Sequence, residues 1–160
     1  MDTSFFDDET VSDISTLLFY FEEDPIFGFE FLDISKLDYS IDSLKHVDDY
    51  LDTIRKLSDI EKAWDKVILR TGSYLGEVIR RKGVVSIWHW LSYKNACKLS
   101  KSLKEYSYDI ETSYILWRGS ESFCFPMAKV AKFISKGRGE SVRSFAKIII
   151  DLWKQEDNNK

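Results

Sequence analysis

From Asp59 to Lys82 the apolar residues Ile60, Trp64, Val67, Ile68, Leu75, Val78 and Ile79 recur every three or four positions, and Gly83 follows. That is the period of an α-helix with one buried face, and a glycine just past the last periodic residue is a helix stop. A helix of about six turns cannot stand alone with such a stripe, so a second layer must cover it. Gly72 and Gly76 lie one turn apart inside it. Glycine in a helix interior costs about 1 kcal/mol against alanine, which is explicable if another element approaches closely there.

The rest of the chain offers partners for that layer. Val11, Ile14, Leu17, Leu18 and Phe21 repeat at helical spacing behind Asp7, Asp8, Glu9 and Asp13, and Glu22-Glu23-Asp24-Pro25 should end this first helix. Phe27, Phe29 and Phe31 alternate, as in a short strand or an aromatic loop over residues 26–32. Ser40 is placed to cap a helix with the stripe Ile41, Leu44, Val47, Leu51 and Ile54, whose other face carries Asp42, Asp49 and Asp52. Residues 84–91 read as a strand, and Tyr93, Ala96, Cys97, Leu99 and Leu103 as a following helix. Residues 114–117 and 123–125 read as two strands joined at Gly119-Ser120. Pro126 opens a helix that Gly137 ends, and a last helix follows Ser141 with Val142, Phe145, Ile148, Ile149 and Leu152 inward. The expected architecture is α+β, a single domain over residues 1–160 with several helices packed around a small antiparallel sheet.

Composition narrows the function classes. With 44% hydrophobic residues, 7 Gly and 2 Pro among 160 residues, the chain suits one globular domain, and residues 155–160 read as a flexible tail. The two cysteines, Cys97 and Cys124, lack the density of a secreted disulfide scaffold and read as reduced thiols. The start MDTSFFDDE has no leader pattern, and no apolar run approaches the ~18 residues that cross a bilayer. The expectation is a soluble, cytoplasmic protein with no membrane partner.

Neither a metal nor a cofactor is expected. The sequence holds no H-E-x-x-H, C-x-x-C, calcium-loop, Walker or dinucleotide pattern, and Gly137-Arg138-Gly139 falls between helices, where it reads as a turn. The candidate catalytic pair is Cys124 with His89, since a cysteine nucleophile needs a base and His46 is the other histidine. Phe-Cys-Phe-Pro in a strand favours a buried structural thiol, however, and His89 alternates away from Trp88 and Trp90. Glu77, on a helix face with Ser73, Arg80 and Arg81, reads as a surface ion pair, with an acid/base role as the alternative. The expectation is no enzyme and no catalytic residue.

The net charge of -4 conceals a strong polarity. Residues 1–54 hold 15 acids against Lys36 and Lys45, whereas residues 55–160 hold 21 bases against 12 acids. Within residues 1–39 are nine aromatics, so carboxylates alternate with large apolar anchors. Such a surface suits a basic protein partner: charge speeds encounter, and aromatics supply the buried contacts. The candidate partner-binding residues are Glu22, Glu23, Asp24, Phe27, Phe29, Asp42, Asp49 and Asp52. The competing reading puts those aromatics in the domain's own core. Lys129, Lys132 and Lys136 share one helix face and Arg143, Lys147 and Lys154 another, so a regulatory or nucleic-acid-binding module on a basic C-terminal surface is the alternative function, which the acidic pI disfavours.

Two stretches carry a resemblance: Gly72-Ser73-Tyr74-Leu75-Gly76-Glu77-Val78-Ile79, and Phe125-Pro126 with Lys129-Val130, Lys132-Phe133 and Gly137, followed by Ser141-Val142 and Ser144-Phe145-Ala146. With Trp88 to Trp90 they resemble a group of small bacterial α+β proteins, some of which are immunity proteins of secreted antibacterial toxins. The resemblance covers roughly residues 38–153 and leaves the acidic, aromatic segment 1–37 outside it. It implies a non-enzymatic immunity protein that binds and neutralises a cognate bacterial toxin one-to-one. It transfers no catalytic residue.

Overall fold

The long apolar stripe forms α3, Trp64–Lys82, entered through a 3-10 turn at Ile60–Ala63 instead of being helical from Asp59. The computed structural model describes residues 5–20, 22–82 and 87–159; Gly83, the expected helix stop, Phe21, and residues 84–86 of the expected strand lie outside them. α3 is buried on nearly every side over Arg70–Ile79, and its two glycines are where α5, Pro126–Lys136, lies against it. A Cβ on Gly72 would stand 2.9 Å from the Met127 Cα. A Cβ on Gly76 would overlap the Trp90 ring and stand 3.2 Å from Pro126 Cγ. The two glycines therefore form a slot that admits a helix N-terminus and an indole together.

The Trp90 indole comes from a three-stranded antiparallel sheet of β1 (His89–Ser92), β2 (Tyr114–Trp117) and β3 (Phe123–Cys124), in the order β1-β2-β3. Partners across antiparallel strands share a face. Trp90, Leu116 and Cys124 thus face the main core with α3 and α5, while His89, Trp117 and Phe123 face the other side. On that second side Leu91 and Ile115 form a smaller core with Ala96 and Cys97 of α4 (Tyr93–Leu99) and with Leu103 of the 3-10 segment Lys101–Glu105. The β2–β3 hairpin turns through Gly119 (φ 110°) and Ser120 (φ 50°), both in the left-handed region. Glycine adopts that region without strain.

Among the described residues β1 is an edge strand, and Asp7 and Asp8 cover it. The Asp7 amide donates to the Trp90 carbonyl (2.8 Å), the Trp90 amide donates to Asp8 Oδ1 (2.6 Å), and the Ser92 amide donates to Asp7 Oδ2 (2.9 Å). Two carboxylates and one amide replace a neighbouring strand, removing the unpaired groups that invite edge-to-edge association. α1 (Asp8–Thr16) starts from that anchor and packs along α3; it passes at Leu17–Phe19 into a 3-10 turn. None of the alternating phenylalanines lies in a strand: Phe29–Phe31 is a 3-10 turn with both end rings exposed, and of the three only Phe27 packs against the core.

α2 (Leu44–Ile54) begins later than the Ser40 cap predicts. Ser40 Oγ accepts from the Ser43 amide and closes a turn ahead of the helix, because Ser43 is itself drawn inward to hydrogen-bond Tyr74 (2.8 Å). α6 (Val142–Asn158) crosses α2 and α3 and continues through positions 155–158, where the sequence suggests a flexible tail. Its N-terminus is fixed by Asp48 of α2, which accepts from the Val142 amide (2.8 Å) and the Ser141 hydroxyl (2.6 Å). Burial pushes the Asp48 carboxyl up, against the pull of those donors. The expected inward face of α6 is also shifted. Val142, Ala146, Ile150 and Trp153 are buried, whereas Ile148 is 57% and Leu152 53% exposed. At 100° per residue the buried line lies roughly a quarter turn from the predicted one.

Candidate functional site

The sheet register separates the one nucleophile–base pair that the sequence offers. Cys124 sits on the Trp90 face and His89 on the opposite face, with β2 between their strands. Cys124 is enclosed, and burial pushes its thiol up to about 12, so it carries negligible thiolate at neutral pH. His89 is stacked on Phe6, with centroids 3.9 Å apart, and its Nδ1 lies 2.8 Å from Asp8. It helps to clamp the chain start onto the sheet edge.

Glu77 is not at the surface; it is fully buried beside the glycine slot. The expected helical neighbours do pair with it: Arg80 Nε donates to Oε1 (3.1 Å) and Arg81 Nε to Oε2 (3.0 Å). The unforeseen partner is Trp90, whose Nε1 donates to Oε1 (3.0 Å). Three donors on one carboxylate compensate its removal from water, and all three aim it at fixed structure, as in a packing device.

The expected partner-binding residues fall into two groups. Asp24 is ion-paired to Lys66 (2.8 Å) and Arg70; Asp42 to Arg143 (2.7 Å); Asp49 (2.8 Å) and Asp52 (3.0 Å) both to Arg138, with Lys56 also on Asp52. Lys66 and Arg70 hold the Asp24 carboxyl below its usual range, and Arg143 does so for Asp42. At Asp52 burial works the other way, but Arg138 and Lys56 outweigh it. These acids stitch the acidic third to the basic body. Phe27 is half-buried against the core, and its carbonyl accepts from the Tyr50 hydroxyl (2.6 Å), whose phenol burial pushes up.

Glu22, Glu23 and Phe29 form the second group. Both glutamates are exposed and, among the described residues, make no ion pair; Phe29 is 44% exposed. With them stand Tyr20 (59% exposed), the exposed Glu30, and Phe31 (45% exposed). The segment is firmly mounted. Ile26 and Leu32 are buried, Tyr50 holds the Phe27 carbonyl, and Arg70 Nη1 donates to the Asp24 carbonyl (2.7 Å).

A second opening lies between the 3-10 segments after α4, β3, α5 and α6, a cleft of about 490 Å³. Tyr106, Phe123, Phe125, Phe145 and Ile149 wall it, and Asp109, Glu111, Lys129 and Lys132 supply its charges. Periodicity could not reveal it, since its residues come from four elements. The available signal was the excess of apolar positions on α6, more than one buried stripe can use. The bases of the alternative nucleic-acid surface are divided: Lys129 and Lys132 line this cleft, while Arg143, Lys147 and Lys154 border a separate hollow with Lys82.

No family model matches the sequence, and no curated protein or solved structure is significantly similar to it. The fold defines a single α+β domain, and among the described residues no helix is long and apolar enough to cross a membrane.

Proposed function

We propose that this chain is a non-enzymatic immunity protein that binds a cognate bacterial toxin one-to-one in the cytoplasm and neutralises it. The observation that carries the reading is the segment 22–31, which is anchored through Ile26, Asp24 and the Phe27 carbonyl and leaves Glu22, Glu23, Phe29, Glu30 and Phe31 exposed, as is Tyr20. Exposed rings on a rigid mount offer apolar contact with little conformational entropy to lose, and unpaired carboxylates beside them attract a basic partner. The resemblance of the α3 and α5–α6 motifs to immunity proteins supplies the toxin as that partner.

The test asks first whether a secreted-effector gene lies beside this one, the absence of which would count against the reading, and then co-expresses the two. Growth should be rescued by the native chain and lost when Phe29 and Phe31 are replaced by Ser. Effector toxicity undiminished by soluble, folded protein would overturn the reading. Charge reversal at Glu22 and Glu23 should slow association and flatten its salt dependence while changing dissociation little.

A further inference from the structure

The eight large apolar side chains most exposed among the described residues fall into two sets. Leu17, Tyr20, Phe29 and Phe31 belong to the N-terminal segment; Tyr106, Tyr108, Ile148 and Leu152 belong to the elements around the cleft. On α6, Ile148 and Leu152 lie one turn or less from Phe145 and Ile149, so the cleft wall continues into an open apolar strip.

The charges inside the cleft are unequal in their needs. Lys129 is satisfied, since its ammonium pairs with Glu140 and lies 5.5 Å from the Phe145 centroid. Lys132 is exposed to water. Asp109 accepts from the Glu111 amide (2.8 Å) and caps the 3-10 turn Ile110–Thr112. The Glu111 carboxylate is half-buried and, among the described residues, accepts no hydrogen bond and makes no ion pair. Burial and the neighbouring Asp109 push its carboxyl up, and Lys132 only partly offsets them. A desolvated carboxylate beside a second one is stabilised by a cation placed against it. The walls suit a flat cation: the Tyr106 and Phe125 rings lie 5.7 Å apart at 37°, and aromatic faces attract guanidinium groups.

We propose that the cleft receives an arginine side chain from a partner protein, its guanidinium paired with Glu111 between the Tyr106, Phe125 and Phe145 rings. Ile148 and Leu152 then cover the apolar residues beside that arginine. Arginine fits better than lysine because its planar fork engages a carboxylate with two parallel hydrogen bonds while stacking on a ring. Only the assignment of that arginine to a toxin rests on the immunity reading.

The test uses the full chain and a small probe, N-acetyl-arginine methylamide, followed by amide chemical shifts. Saturable shifts are expected at residues 106–112, 123–125 and 128–132, with binding weakened about tenfold in Glu111→Gln, the loss of roughly one charge-assisted hydrogen-bonded pair, and unchanged in Tyr20→Ser. Affinity should fall on acidification as Glu111, whose carboxyl burial and Asp109 push up, takes up its proton. The proposal is overturned if the norleucine analogue binds as well as the arginine one, if the aspartate analogue binds better, if Glu111→Gln binds equally, or if no saturable shift arises. It is also overturned if sedimentation shows self-association that covers these residues. Arginine binding without growth rescue would sink the toxin reading alone; growth rescue without arginine binding would sink the cleft alone.

Discussion

Replacing Gly76 by alanine tests the central packing argument, because intrinsic helix preference and tertiary packing predict opposite signs. On an open helix the substitution would stabilise by about 1 kcal/mol. Here the new Cβ would overlap Trp90 Cζ2 and Cη2 and press on Pro126 Cγ at 3.2 Å. Trp90 is fully buried and held by Glu77, so the ring cannot swing into free space. Overpacking of this kind costs about 1–3 kcal/mol. Displacing the indole also breaks its bond to a buried carboxylate, a further loss of about 1–3 kcal/mol. After subtracting the helix gain, the net destabilisation is about 1–5 kcal/mol, or very roughly 3–15 °C in Tm for a chain of this size. Urea unfolding followed by tryptophan fluorescence and circular dichroism measures it. Gly139→Ala is the control, since nothing lies within 4 Å of the Cβ position there. If Gly76→Ala matched that control or was more stable than the native protein, the close approach of α5 and Trp90 to α3 would be refuted.

Other perturbations probe the charged contacts and the thiol. Glu77→Gln should destabilise by about 3 kcal/mol, the low end for a broken buried pair because Arg81 reaches water, and its effect should be non-additive with Trp90→Phe in a double-mutant cycle. Cys124 should resist a thiol reagent at pH 8 in the native state and react on unfolding; fast native reaction would contradict its burial. Asp24, Asp42 and Asp52 have folded pKa values below their unfolded ones, so their contribution is present above about pH 4 and is lost as pH falls through the folded values. Asp48, shifted upward, acts oppositely: its penalty is relieved as pH falls through its folded value. The urea midpoint of the triple variant Asp24→Asn, Asp42→Asn, Asp52→Asn should therefore decline less steeply below pH 4 than that of the native chain, and parallel declines would deny these pairs any role.

The sequence predicts helices wherever one dominant stripe decides the burial, as in α2, α3 and α5. Even the close approach at Gly72 and Gly76 was legible, because an unfavourable residue repeated on one helix face calls for a packing reason. Prediction failed where more apolar residues were present than one face could bury. On α6 the stripe through Phe145, Ile148 and Leu152 is as regular as the true one through Val142, Ala146, Ile150 and Trp153, and only the position of α2 and α3 decides between them. Glu77 failed for a different reason. Its i+3 and i+4 arginines suggest a solvated pair, but the Trp90 donor that makes burial tolerable comes from a strand thirteen residues away. Non-local partners likewise explain the covered edge of β1, where Asp7 and Asp8 look like ordinary helix-start acids and act as a strand.

The charge polarity of the chain divides in the fold into two functions. Asp8, Asp24, Asp42, Asp49 and Asp52 meet basic groups of the body, while Asp7 and Asp48 hold backbone amides of β1 and α6. These acids cannot steer a partner at full strength, because their fields are largely cancelled by an adjacent cation or spent on fixed donors. Glu9, Asp13, Glu22, Glu23, Glu30, Asp33 and Asp38 are exposed and, among the described residues, make no ion pair, so their charges are free to contribute to the long-range field of the N-terminal third. Three of the seven stand with the outward rings of residues 22–31. The cleft repeats that chemistry on another set of elements, with Glu111 as the uncompensated carboxylate and Tyr106 and Phe125 as the rings. A partner that satisfied both would present cations flanked by apolar side chains at two places, and one carrying only a diffuse positive charge would gain encounter rate without the buried contacts that slow its release.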